Sequence, residues 1–171
     1  MNFLILKFFL VFYFFSSSVF SDDHSYSKQG SFKSWTVYTK KNKQICYMIA
    51  LPNKSIGDYN LRGRVSVIVA RRPKEKNKNF IGIDFGYSFE KNAKVKIIVD
   101  NEVSFSLETF HQTAWTKPSD NSKLDDLIIE EMLRGNELVV FGKSKRGTDT
   151  KDIYSLVGFS KAFSKIKEVC G

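Results

Sequence analysis

The chain has 171 residues, a length that favours one domain, and its 42% hydrophobic and 15% aromatic content gives ample material for a core. Two cysteines and two unclustered histidines exclude a zinc site of the usual kind. The formal charge of +9 favours acidic partners such as anionic lipid, lipopolysaccharide, acidic glycan or nucleic acid, with a merely solvated basic surface as the plainer reading.

Residues 1–15 carry one cation, Lys7, and then an apolar run, followed by the small-residue stretch 16–21 and the acids Asp22 and Asp23. A short positive region, an apolar run and a small-residue exit describe a secretory signal peptide, with cleavage after Ser21. The alternative, a transmembrane anchor, needs about 20 apolar residues, and this run is shorter. Cleavage removes Lys7, leaves a net charge of +8 and leaves no expected transmembrane span. Export in turn argues against nucleic acid as the partner.

Residues 22–33 are polar and aperiodic and are expected to form a flexible leader before a domain spanning 34–171. Residues 34–39 and 44–51 read as the first two strands, the second ended by Pro52, and 53–63 as a loop marked by Gly57, Asp58, Asn60 and Gly63. Residues 64–72 alternate Val65, Val67 and Val69 with Ser66, Ile68 and Ala70, and 80–87 and 94–100 follow as strands. In 94–100, Lys94, Lys96 and Ile98 alternate with Val95, Ile97 and Val99, the pattern of a sheet with one wet face. Asp100 and Asn101 tolerate positive φ and predict a tight hairpin into 103–108, with a further short strand around Trp115.

A helix is predicted next. Ser119, Asp120 and Ser122 offer N-caps, Asp125 and Asp126 sit in the first turn, and Leu124, Leu127, Ile128 and Met132 share a face that ends at Arg134–Gly135. Residues 137–141 and 152–157 are strands around a basic turn at 143–148. Ser160 is the expected cap of a last helix with Ala162, Phe163, Ile166 and Val169 on its apolar stripe. There is no repeat, linker or second domain. Many short strands with two helices in the C-terminal half predict a mainly β, antiparallel sandwich or barrel-like domain.

Cys46 and Cys170 stand near the two ends of this domain. An even count in an exported chain suggests a disulfide, with two buried free thiols as the alternative. The bond would close a loop of about 125 residues, for which chain entropy predicts on the order of 4–5 kcal/mol.

Taken together, Trp35-Thr36-Val37, Cys46-Tyr47, Arg71-Arg72-Pro73, Gly86-Tyr87-Ser88-Phe89, Ala114-Trp115, Arg146-Gly147-Thr148 and Tyr154-Ser155-Leu156-Val157-Gly158-Phe159 with Ala162 carry a resemblance. The chain resembles the invasion-associated locus B family of alphaproteobacterial envelope proteins over residues 34–170, nearly the whole mature chain. The resemblance implies an exported, disulfide-bearing, β-sandwich-like protein of the periplasm or outer envelope, whose partner is an unidentified envelope or host-surface protein. Pathogenic members of the family are associated with host-cell invasion, while others belong to bacteria with no such host. Some relatives carry more cysteines than this chain. No catalytic residues come with the family.

The first candidate site for an anionic glycan or lipopolysaccharide is the stretch Arg71, Arg72, Lys74, Lys76 and Lys78, against an ordinary soluble hairpin tip. Lys143, Lys145 and Arg146 form a second, smaller one, and the two would combine if both turns project from one end. Trp35 and Trp115 are sugar-stacking candidates but are read first as core, as are Tyr154, Leu156 and Phe159. Gly158 reads as a bend between strand and helix. For a hydrolase, His111 with Glu108 is the one candidate acid–base pair, since His24 lies in the leader. No Gly-x-Ser-x-Gly elbow, His-Glu-x-x-His motif or phosphate loop is present, so neither an enzyme nor a cofactor is expected.

Overall fold

The computed structural model describes residues 26–40, 44–76, 78–116 and 123–171. The signal sequence, the cleavage point and the N-cap residues Ser119, Asp120 and Ser122 lie outside the described residues. Among the described residues, eleven strands and two α-helices follow one another. The strands are β1 (Tyr26–Phe32), β2 (Trp35–Lys40), β3 (Cys46–Ala50), β4 (Lys54–Gly57), β5 (Ser66–Arg72), β6 (Lys78–Asp84), β7 (Lys94–Val99), β8 (Val103–Phe110) and β9 (Thr113–Trp115). Helix α1 (Lys123–Arg134), β10 (Glu137–Lys143), β11 (Asp149–Ser155) and helix α2 (Phe159–Val169) complete the domain.

All strands join one antiparallel sheet in the order β1-β2-β3-β5-β6-β9-β8-β7-β10-β11-β4. The expected mainly β class holds, and the layers turn out to be one continuous sheet. The connection from β3 to β4 shows why that sheet cannot be flat. These strands stand third and eleventh in the order, a separation of roughly 38 Å in a flat sheet. Residues 51–53 alone link them and reach no further than about 15 Å. The sheet therefore curls until its ends meet. Asn53 N–H donates to Ile153 O at 2.7 Å and the Trp35 indole N–H donates to Ser155 O at 3.1 Å, tying the two ends together.

Alternation builds the core. In β2, Trp35, Val37 and Thr39 point inward; in β3, Cys46, Met48 and Ala50; in β7, Val95, Ile97 and Val99. Helix α2 closes the core over β1, β2 and β3 with Phe159, Ala162, Phe163 and Ile166. Trp35 meets Phe159 edge-on at 4.9 Å, and Tyr154 and Leu156 are buried beside them, as expected. Helix α2 ends by bringing Cys170 to Cys46, with Cα atoms 6.1 Å apart, and forms the predicted disulfide.

Five local expectations are corrected. Residues 26–32 are a strand paired along β2, not a flexible leader, because β2 offers its free edge to them. Residues 54–57 leave the predicted loop to form the other edge strand, on β11. In α1, Leu127 is exposed and Ile129 takes its place on the buried face with Ile128 and Met132. Ser160 does not cap α2. The N-cap is Gly158 at φ +93°, where a Cβ would collide with the Phe32 carbonyl. Finally, Trp115 is not core; it lies on the outer face of the sheet.

Candidate functional site

The two basic clusters do not combine. β6 begins at Lys78, beside the first cluster, and its far end leads into residues 85–89, where Lys145 N–H donates to Ser88 O at 2.8 Å. A seven-residue strand, roughly 20 Å, separates them. Within the first cluster the alternation of β5 divides the charges again. Arg71 turns to the core side and donates to Asn79, which donates in turn to Asp126 of α1. Arg72 faces outward, 3.0 Å from Glu75, and lies over the Phe80 ring with Lys78. Lys74 and Lys76 are exposed at the tip.

At the opposite end, three chain segments converge on residues 85–89. Gly63 N–H donates to Gly86 O, Phe85 N–H to Gln112 O, Phe89 N–H to His111 O, and Lys145 N–H to Ser88 O. Together they enclose a cleft of about 830 Å³ whose lining includes Tyr59, Leu61, Arg62, Tyr87, Lys145 and Arg146. Its floor was not legible in the sequence. Arg62 reaches in from the 58–65 loop and makes a two-pronged pair with Asp152 of β11, at 2.8 and 2.6 Å. Its Nε donates to Phe85 O at 2.7 Å, and its guanidinium stacks between Tyr59 and Tyr87 at 5.4 and 5.0 Å. Both side chains are buried, 4% and 1% exposed, so the charges neutralise each other. Beside them the Tyr87 and Thr150 hydroxyls lie 2.7 Å apart.

Burial, opposed by the Thr150 hydrogen bond and the Arg62 charge, pushes the Tyr87 phenol up. The Tyr154 phenol is pushed up further by burial, and its hydroxyl has no hydrogen-bond partner among the described residues. Of the second cluster, Lys145 and Arg146 line the cleft, while Lys143 stands 3.7 Å from Asp149. The hydrolase candidates are otherwise engaged: Glu108 faces Lys94 at 3.4 Å, and the His111 ring sits edge-on to Phe110 in an exposed turn. Among the described residues no group of His, Cys, Asp and Glu is placed to hold a metal ion, and no helix is long and apolar enough to cross a membrane.

The outer face of the sheet between β1 and β9 is a second surface of note. Such a face is ordinarily polar in an antiparallel sheet. Here register sets Tyr38 opposite Tyr47, Tyr47 opposite Ala70 and Ala70 opposite Phe80. One pair further along, Ile49 faces Ile68, Ile68 faces Gly82 and Gly82 faces Trp115. Tyr38 stacks on Tyr47 at 5.3 Å, and Tyr26 meets Tyr47 edge-on at the same distance. Burial, and then the neighbouring Tyr26 and Tyr38, push the Tyr47 phenol up. Trp115 packs its six-membered ring against Gly82, where a Cβ would overlap it, and its Nε1 donates to Thr113 Oγ1 at 2.8 Å.

Residues 35–167, from Trp35 into α2, match the family model described as Invasion associated locus B (IalB) protein. The chain belongs to the IalB family. The match begins after β1, so the edge strand at 26–32 lies outside the family's matched span. The crystal structure of invasion associated protein B from Bartonella henselae is similar in fold, with a TM-score of 0.58 over 84% of this chain and 97% of that one, at 12% identity. No curated protein matches the chain.

Proposed function

We propose that this IalB-family chain is an exported, non-catalytic protein of the bacterial periplasm or outer envelope that works by contact with another envelope or host-surface protein. The observation that carries the reading is the Cys46–Cys170 bond, which joins β3 to the end of α2 across 124 residues with both cysteines buried. Structural disulfides of this kind persist in oxidising compartments, and the signal-like residues 1–21 supply a route to one. Binding rather than catalysis is supported by the cleft floor. Arg62 and Asp152 occupy each other in a closed pair, which leaves neither poised to exchange a proton with a substrate. The Bartonella neighbour is named for invasion, and a contact with a host surface is proposed here on that likeness.

The test is an intact mass of the native protein, taken with and without reduction after free thiols have been alkylated. A chain starting at Asp22 with both cysteines protected is the expected result. A full-length chain carrying two alkylated thiols would overturn export.

A further inference from the structure

We propose that the outer face of β1, β2, β3, β5, β6 and β9 is a binding surface for an acidic polysaccharide, with Trp115 and Tyr38 as sugar platforms and Lys28, Lys40, Arg72 and Lys78 as carboxylate or sulfate ligands. The proposal rests on the export reading, because such polymers lie outside the cytoplasm, and it adds the chemistry of a partner to it.

Shape comes first. Trp115 is 37% exposed and packs its six-membered ring against Gly82 of β6, where a Cβ would overlap it. A part-exposed indole offers a flat apolar plane that suits the C–H face of a pyranose ring. The Tyr38–Tyr47 stack continues the aromatic surface on the far side of Ala70, and Tyr26, 47% exposed, extends it to the sheet edge. Tyrosine and tryptophan couple apolar area to a polar tip, which fits a ligand that is apolar on its ring faces and polar around its rim. A contiguous apolar surface of this kind on a sheet face marks a contact site.

Charge then selects among partners. β1, β2, β3 and β5 contain no Asp or Glu, and on this face they carry Lys28, Lys40 and Arg72; β6 adds Lys78 and one acid, Asp84, and Glu75 stands 3.0 Å from Arg72. Register places Lys28 opposite Tyr38, Lys40 opposite Tyr26, and Arg72 opposite Lys78 of β6, so cations flank the aromatic rows. Arg72 and Lys78 both lie over Phe80, at 4.6 and 5.2 Å, which holds their long side chains against the face. A neutral glycan would make no use of four cations, and an apolar protein patch would be repelled by them. An acidic polysaccharide uses both features.

The experiment is fluorescence-polarisation binding of the disulfide-intact mature protein to a labelled polygalacturonate oligomer and a labelled heparin oligomer. A neutral cello-oligomer and a duplex DNA of matched charge serve as comparisons. Binding to at least one acidic glycan, weakening as salt is raised, is expected. Trp115→Ala and the pair Arg72→Glu/Lys78→Glu should each weaken it by about tenfold or more, a loss of about 1.4 kcal/mol. Tyr38→Ala provides a second aromatic variant should Trp115→Ala fail to fold, as judged by circular dichroism. Absence of binding to both acidic oligomers overturns the proposal. So does DNA binding as tight as the glycan with the folded aromatic variant unaffected, which would mean simple polyelectrolyte attraction. Either negative leaves the export reading standing, since that is decided by the protein's mass and thiol state.

Discussion

Arg62 is the residue on which the loop end of the domain depends. It leaves a surface loop, yet its guanidinium is held by both Asp152 oxygens and by the Phe85 carbonyl, between two tyrosine rings. Removing one partner strands the other charge in a buried site, so Arg62→Ala or Asp152→Ala should each cost about 3–5 kcal/mol in urea unfolding. The double change Arg62→Met/Asp152→Leu should cost far less than the two singles added together, because no charge is left unpaired. Asp100 at the β7–β8 turn makes the second prediction at this scale. It accepts the backbone N–H of Asn136 and then of Glu137, which holds its carboxyl below the usual carboxylate range. A depressed folded pKa stabilises the native state above the unfolded value of about 3.9 and loses that contribution as pH falls through the folded value. Asp100→Asn should therefore be less stable than the parent at neutral pH. The gap should begin to narrow in denaturation curves run below about pH 4 and close only beneath the folded value; a gap that stays constant with pH would refute the assignment.

At the scale of elements, α1 is held to the sheet by a side chain that does the work of a missing strand. β9 is short and pairs β6 only at residues 82–84, which leaves the Ile81 N–H facing outward from the ladder. Asp125 accepts that N–H at 2.8 Å with one oxygen and the Thr116 hydroxyl with the other. Burial pushes the Asp125 carboxyl up, and those two hydrogen bonds oppose it. Asp125→Ala leaves a buried donor unsatisfied, a loss of about 1–3 kcal/mol. Hydrogen exchange should show faster exchange at Ile81 and along α1, while the β10–β11 hairpin stays protected. The entry to α2 is set by geometry of another kind. Gly158 needs a positive φ and has the Phe32 carbonyl where a Cβ would go. Its position between the last strand and the last helix also explains why β1 can pass so close beneath α2.

For the whole molecule, the curled sheet and the disulfide make a single closure. β1 stands at one edge and β4 at the other, and no ladder joins them. Helix α2 covers the sheet beside β1, β2 and β3, and Cys170 fixes its end to β3. Because the bond closes a loop of 124 residues, its main effect falls on the unfolded chain. The variant Cys46→Ala/Cys170→Ala should lose about 4–5 kcal/mol, and reduction of the parent in urea should lower its midpoint in the same way. An equal midpoint with and without reductant would show that packing of α2 alone holds the closure.

Period-two alternation in β2, β5 and β7, the acidic first turn of α1 and the apolar stripe of α2 were legible because each is a local pattern, and local patterns fix class and most element positions. The cysteine pair and the family resemblance were legible for the same reason: they rest on residue identity. β1 and β4 were missed because they are edge strands with weak patterns of their own, made strands by the free ladders of β2 and β11. The exposure of Trp115 followed from Gly82 lying opposite it, a register no single segment contains. The Arg62–Asp152 pair joins residues 90 apart, and the separation of the two basic turns is a matter of which end of β6 each one meets. Residue identity determined what this chain is made of and which family it belongs to. Only the tertiary structure decided which of its charges and rings share a surface, because that depends on strand order and register, which long-range pairing sets.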